Sequence, residues 1–339
     1  MKIAVLSTSF SEYNNKEVED ELTQIGESVT RALKFYNHDV SFMHVNEKTF
    51  ERLRKTNVDF AFNVCERFNN NSMFEPHVAA MLELLGIPYT GSGPLALSLC
   101  MNKARVKEIL SQNGIPTPKF QVFYSKNKKI DPDLRFPLIV KPICMDNSIG
   151  ILNDSVVRSE RELRNRVAFV NRVYNQPALV EEFIEGREFV VGALGNNGDT
   201  IALPVSEFVF TNMNQGDYNI LSYETKWDIE GENSNKTIEV CPAQIPKYLE
   251  QKMKRIALEC HKVLDTRDYS RIDIRLADDG TPYVLEMNPN PGISADDAIP
   301  KAAKSLGLTY DEMINEILNH AFKRCNLPFK EKPKIITDS

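Results

Sequence analysis

The 339-residue chain, 42% hydrophobic and 26% charged, exceeds the roughly 100–200 residues that one compact core usually serves, so two or three domains are expected. A mean hydropathy of -0.34, with no apolar run near the ~20 residues that cross a bilayer, excludes a membrane-spanning chain. The formal charge of -6 and isoelectric point near 5.6 leave no basic field to track a nucleic-acid backbone, so any phosphate must be held locally.

The apolar stretch Ile3 to Leu6 is too short for a signal-peptide core and reads as a buried strand. Val18, Leu22, Ile25, Val29 and Leu33 then recur at helical spacing, and Val40 to Val45 reads as strand after an Asn37-His38 turn. A helix at Glu47 to Arg54, a strand at Val58 to Val64 and a helix from Glu75 to Leu85, stopped by Gly86, extend this into an open parallel sheet that closes near Gly93. Asn102 caps a helix to Gln112, and Gly114, Pro116 and Pro118 end it. Strands at Lys119 to Phe123, Leu138 to Val140 and Ala178 to Phe183, with a helix at Glu160 to Val173, predict a small α+β unit. Strands at Phe189 to Leu194 and Ile201 to Phe210, a polar stretch Thr211 to Lys236, a helix from Pro246 to Leu264 and a hairpin at Tyr269 to Asn288 follow. Helices near Ala298 to Ser305 and Tyr310 to Phe322 precede a tail, after Pro328, expected to fray. The six scattered cysteines form no Cys-x-x-Cys pair and read as reduced thiols of a cytoplasmic protein, and the five histidines show no metal-ligand spacing.

The last hairpin concentrates the chemistry. Asp279-Gly280 suits a two-residue type I′ turn, which requires positive φ at both positions. Counting outward from it sets Asp273 opposite Glu286 and Arg271 opposite Asn288. All four then share one face, within a patch ~5–8 Å across, and Ile272, Ile274, Leu285 and Met287 share the other. Two carboxylates and an amide on a face backed by hydrophobes suit a hard divalent cation such as the magnesium of a nucleotide; an exposed face of cross-strand charge pairs is the plainer alternative. Pro289-Asn290-Pro291-Gly292 beside it is a rigid turn with amides able to meet an oxyanion, or simply a turn. Lys141 ends a buried strand and is a candidate for a phosphate, or else snorkels to solvent. Glu181-Glu182-Phe183-Ile184 could accept an amine or hydroxyl, or be a solvated turn.

Taken together and in order, Gly86 to Gly93, Asn102-Lys103, Gly114 to Pro118, Val140-Lys141-Pro142, Glu181 to Phe183, Gly186-Arg187-Glu188, Lys226, Cys241-Pro242-Ala243, Arg271-Ile272-Asp273, Glu286-Met287-Asn288 and Pro291-Gly292 resemble the D-alanine–D-alanine ligase branch of the ATP-grasp superfamily, over about Lys2 to Leu318. The resemblance implies an α/β and α+β chain of three domains: an N-terminal Rossmann-like parallel sheet, residues 1–94, and two α+β lobes, 95–185 and 186–325, sandwiching ATP. By resemblance, Lys103 and Lys141 contact phosphates, Glu181, Glu182 and the backbone of Phe183 and Ile184 read adenine, and Glu188 binds ribose. Lys226 reaches the γ-phosphate from a mobile loop, and Asp273, Glu286 and Asn288 hold two magnesium ions, for which manganese can substitute. Arg271 and the Gly292 amide stabilise a tetrahedral oxyanion. The implied reaction joins a small-molecule carboxylate to an amine through an acyl phosphate, and the family's tendency to dimerise points to a homodimer.

The substrate motifs depart from the family. Its Gly-Gly-x-Ser-x-Glu becomes Thr8 to Tyr13, leaving Glu12 to meet an ammonium; its His-Gly-x-x-Gly-Glu-Asp becomes Cys65 to Glu75. Its Glu-Gly-Ser-Ser-x-Gly loop becomes Met145 to Gly150, with Asn147 in place of the first serine and Ser148 retained. The serine five residues past the Pro-Gly glycine becomes Asp297. An aspartate repels a carboxylate at contact, so the expectation is a ligase for an amino acid or peptide and an amine, and not for alanyl-alanine. A plain D-alanine–D-alanine ligase, an ATP-grasp phosphotransferase and a nucleotide-gated binding protein without turnover are the alternatives.

Overall fold

In the computed structural model, residues 1–8, 16–69, 71–145, 147–211, 213, 216–221 and 237–328 are described here, with side chains of 16–22 left aside. The first unit is a parallel sheet in the order β2-β1-β3, built from β1 (Lys2–Thr8), β2 (Asp39–Val45) and β3 (Phe60–Val64). Alternation along β1 divides the core. Ile3 and Val5 pack toward α1 (Lys16–Phe35), whereas Ala4 and Leu6 pack toward α3 (Glu75–Leu85) and the neighbouring α2 (Thr49–Lys55). This is the doubly covered sheet that near-continuous apolar strands require.

After α4 (Pro94–Cys100) and α5 (Lys103–Gln112) comes an antiparallel sheet in the order β4-β7-β5-β6: β4 (Phe120–Phe123), β5 (Leu138–Pro142), β6 (Val156–Val157) and β7 (Ala178–Glu182). Leu138, Val140, Ala178 and Val180 bury against Leu163, Val167 and Val170 of α6 (Glu160–Val173). The period of two therefore sends Ile139, Lys141, Leu179 and Glu181 to the opposite face.

The third sheet runs β11-β10-β8-β12-β13, with β9 beside β8. Its strands are β8 (Arg187–Leu194), β9 (Ile201–Ala202), β10 (Ser206–Phe210), β11 (Thr237–Val240), β12 (Tyr269–Leu276) and β13 (Pro282–Asn288). Phe189, Val191, Ile272, Ile274, Val284 and Met287 pack on α7 (Lys247–Val263) and on Val106 and Leu110 of α5. Glu188, Arg271, Asp273, Arg275, Glu286 and Asn288 consequently share the other face, which Ile299 covers at its Gly192–Leu194 end. Helices α8 (Ala298–Ser305) and α9 (Tyr310–Arg324) return to the first unit, where Met313, Ile317 and Leu318 join the core of β1 and α1. Among the described residues no helix is long and apolar enough to cross a membrane.

Two expectations are corrected. The strand expected at Ile201 to Phe210 is broken into β9 and β10 around Pro204, which has no N–H to donate. Elements α4, β6 and β11 are additional to those expected. The turn between β12 and β13 is not a two-residue one: Gly280 N–H donates to Ala277 O, Ala277 N–H to Thr281 O, and only Gly280 has positive φ, at 79°. That is a three-residue loop with a left-handed glycine. The register near the turn is thus Ile274 opposite Val284 and Arg275 opposite Tyr283, and an irregularity after Asp273 restores Asp273 opposite Glu286 and Arg271 opposite Asn288. Leu285 is the extra residue. It leaves the apolar face, where Val284 takes its place, and lines the cleft instead.

Candidate functional site

The faces of the second and third sheets away from α6 and α7 form a cleft lined by Ile139, Lys141 and Glu181 from one side and Glu188, Arg275 and Leu285 from the other. Phe183 and Ile184 join them at the hinge, and Ile220 and Leu221 close the edge. A lining of apolar side chains interspersed with buried acids and bases suits a heteroaromatic ligand with polar substituents.

The charges in the cleft are paired. Lys103, at the start of α5, reaches across to β13, with Nζ 2.5 Å from Glu286 Oε1. Asn102 positions it by accepting from Arg105 N–H and capping the helix. Burial raises the Glu286 pKa, but Lys103 first, then Lys141 and Arg271, outweigh it and hold the carboxylate ionised. Arg271 is bidentate to Asp273, at 2.9 and 3.2 Å. Burial disfavours its charge, yet Asp273, with smaller contributions from Asp297 and Glu286, keeps the guanidinium firmly protonated. Asp273, Glu286 and Asn288 therefore share one face, as the hairpin spacing predicted. Among the described residues no group of three His, Cys, Asp or Glu side chains converges. Two carboxylates and an amide are nevertheless the donor set suited to magnesium, which commonly takes one or two carboxylates and completes its shell with phosphate oxygens and water.

Glu181 is the most enclosed acid of the cleft, 1% exposed. Its Oε1 accepts from Lys141 Nζ at 2.6 Å, and Lys107 Nζ stands 2.7 Å from its Oε2. Burial pushes its pKa upward, but the two lysines overcome this and pull it down to about 2. Glu182 instead turns toward the rim and accepts from Arg135 N–H at 3.1 Å. The Phe183 N–H is already bonded to Pro137 O at 3.0 Å, so this N–H is not available to a ligand. Glu188 pairs with the buried Arg275, which also donates to the Ile184 and Asn219 carbonyls and lies over the Phe183 ring.

On the far side, Asn147 and Ser148 follow one another with φ of 54° and 59°, a left-handed pair that gives the loop after β5 a sharp turn despite its single glycine. Buried Arg166 fixes this loop by donating to Gly150 O at 2.8 Å. The Pro289–Asp297 loop is tied to the first unit: Asn290 donates to Cys65 O and Glu75, and Ser92 Oγ donates to Pro289 O. Gly292 sits close against Asp297: a Cβ there would lie 2.7 Å from Asp297 Oδ2, which would have to move aside. Asp297 does not point to solvent. It is half-buried before α8, and its Oδ2 accepts from Ser294 N–H at 2.7 Å. Burial, then Glu75 and Glu66, push the Cys65 thiol well up, so it is an inert neutral group. Glu12 and Lys226 lie outside the described residues.

Lys107, Arg275 and Leu285 are site residues that the sequence reading missed. Lys107 lies one turn beyond Lys103, but no local pattern ties it to Glu181, and the loop length that brings Leu285 inward leaves no signal.

A family model described as D-ala D-ala ligase C-terminus matches residues 109–319. A protein of Sinorhizobium fredii described only as uncharacterised, y4sG, is 36% identical over 310 residues, covering 89% of this chain and 88% of its own. A D-alanine–D-alanine ligase of Bordetella petrii is 31% identical over 320 residues, covering 93% and 92%. The crystal structure of the D-alanine–D-alanine ligase of Bacillus anthracis complexed with ATP superposes with a TM-score of 0.75 at 24% identity, covering 96% of this chain and 99% of that one.

Proposed function

The chain belongs to the D-alanine–D-alanine ligase family of ATP-grasp enzymes and is an ATP-dependent ligase forming a carbon–nitrogen bond; from that premise we propose that it joins a small carboxylate to an amine whose acceptor is not a plain D-amino acid. On this reading the three sheets head lobes at 1–94, 95–185 and 186–325. ATP lies in the cleft between the second and third, its adenine among Ile139, Phe183 and Leu285 and its ribose at Glu188. The observation that carries the reading is the single cleft face bearing Arg271, Asp273, Glu286 and Asn288 opposite Lys141.

Asp273, Glu286 and Asn288 would hold magnesium, with manganese as a substitute. When bound, the metal would neutralise the charge of the transferring phosphate. Lys103 and Lys141 position the phosphates, with Lys226 closing on the γ-phosphate. The donor carboxylate attacks that phosphorus to give an acyl phosphate and ADP, and the amine then displaces phosphate to leave the amide. Arg271 and the Gly292 amide receive the developing oxyanion. Closure excludes the water that would hydrolyse the acyl phosphate.

Asn147, Ser148 and Asp297 set the substrates. The Asp297 carboxylate, turned toward Gly292 and electrostatically coupled to Arg271, favours a neutral or cationic acceptor over an anionic one. A plain D-alanine–D-alanine ligase is the second reading, favoured by the name of the Bordetella relative. A phosphate-release screen of amino acids and amines with ATP and magnesium, with mass spectrometry of the products, separates the two. Little alanyl-alanine and better turnover with an acceptor lacking a carboxylate support the first, whereas D-alanyl-D-alanine at rates matching the best other product restores the second.

A further inference from the structure

We propose that Lys107 is a positioning residue for nucleotide phosphates: by sharing Glu181 with Lys141, it leaves the positive charge of Lys141 available to the ligand. This rests on the cleft binding a nucleotide. The other cations described in the cleft each stand against a carboxylate: Lys103 against Glu286, Arg271 against Asp273 and Arg275 against Glu188. Around Glu181 the count differs, with two ammonium groups on one carboxylate.

Lys107 is 1% exposed, and its Nζ also donates to Thr117 Oγ1 at 2.8 Å, which in turn donates to Val284 O at 2.8 Å. Helix α5, the connection after it and β13 thus hold the ammonium in place behind Glu181, away from the cleft lining. A Lys141–Glu181 pair alone would already be neutral. Burying a further cation is costly for folding, and burial does lower the Lys107 pKa. The cost is offset when an anion arrives beside Lys141. Without Lys107, the charge of Lys141 would be cancelled by Glu181.

Calorimetric titration of the full chain with ADP and, separately, with adenosine tests this, because only ADP carries the phosphates. In Lys107→Met, ADP affinity should fall about tenfold or more, with adenosine changed by less than about threefold. Lys107→Arg should retain ADP binding. Glu181→Gln, which leaves both lysines uncompensated, should raise the preference for ADP over adenosine, and the double variant Lys107→Met/Glu181→Gln should recover the wild-type preference. The last two variants decide the matter even if Lys107→Met does not fold. Equal losses for ADP and adenosine, an unchanged ADP affinity in Lys107→Met, or no recovery in the double variant overturns the proposal. A wild-type chain that binds neither ligand overturns the nucleotide reading itself.

Discussion

On the proposed nucleotide side of the cleft the side chains assigned a role stand largely on strands: Lys141 on β5, Glu181 on β7, Glu188 on β8, Arg271 and Asp273 on β12, Glu286 and Asn288 on β13. On the proposed acceptor side they stand on loops, with Asn147 and Ser148 after β5 and Gly292 and Asp297 between β13 and α8. A strand over a packed core fixes the direction of each side chain, and with it the charge pairs. A loop fixes only what its own hydrogen bonds hold, so residues can be exchanged there without disturbing the core. On the proposed assignment, nucleotide chemistry and substrate choice can therefore diverge separately in this molecule.

The sharpest way to break this contrast is at the proposed metal-binding face. Asp273→Ala or Glu286→Ala should lower ATP-dependent phosphate release by at least about a hundredfold; the thermal midpoint should fall as well, because Arg271 or Lys103 loses its carboxylate, but a folded variant as judged by circular dichroism should still be inactive. Near-normal turnover in either variant would remove the proposed role of the hairpin.

Acid stability tests the strand-borne charges next. Glu181 is depressed from its ordinary 4.5 to about 2, so its pairing stabilises the fold fully above pH 4.5 and the contribution is lost as pH falls from there toward 2. Glu181→Gln leaves two buried lysines without their acid and should cost roughly 3 kcal/mol near neutrality, flattening the pH dependence through that window. Urea unfolding across pH 2–7 measures it, and an unaltered profile would contradict the assigned pairing.

Loop substitutions should act on the acceptor alone. Asp297→Ser should raise turnover with a carboxylate-bearing acceptor about tenfold while leaving ATP KM unchanged, and should cost about 1 kcal/mol because the Ser294 amide loses a charged acceptor. A simultaneous rise in ATP KM would deny the separation of the two sides. The smallest effect is expected from Gly292→Ala, whose Cβ would press on Asp297 Oδ2. That carboxylate can swing aside, so acceptor KM should rise only a few-fold, as steady-state kinetics would show.

The same contrast explains what was legible in the sequence. Alternation placed Asp273, Glu286, Arg271 and Asn288 on one face even though the turn beside them was misread, because the extra residue in the turn and the irregularity at Leu285 compensate. Leu285 was the residue misplaced. The caps at Asn102 and Gly86 and the helical repeats of α1, α6 and α9 are local signals, and those elements lie close to where they were expected. Lys107 was not legible as a site residue because its partner, Glu181, lies 74 positions away and meets it only through the packing of α5 behind β7. Asp297 was recognised as a departure, but its turn back onto Ser294 depends on the loop's own hydrogen bonds.

The transfer of oxygen from the donor carboxylate to phosphate tests the central claim most directly. With a productive donor labelled with 18O in its carboxylate, an acyl-phosphate route predicts one labelled oxygen in the released inorganic phosphate for each amide formed. Amide formation with unlabelled phosphate, or a stable phosphorylated product with no amide, would contradict it.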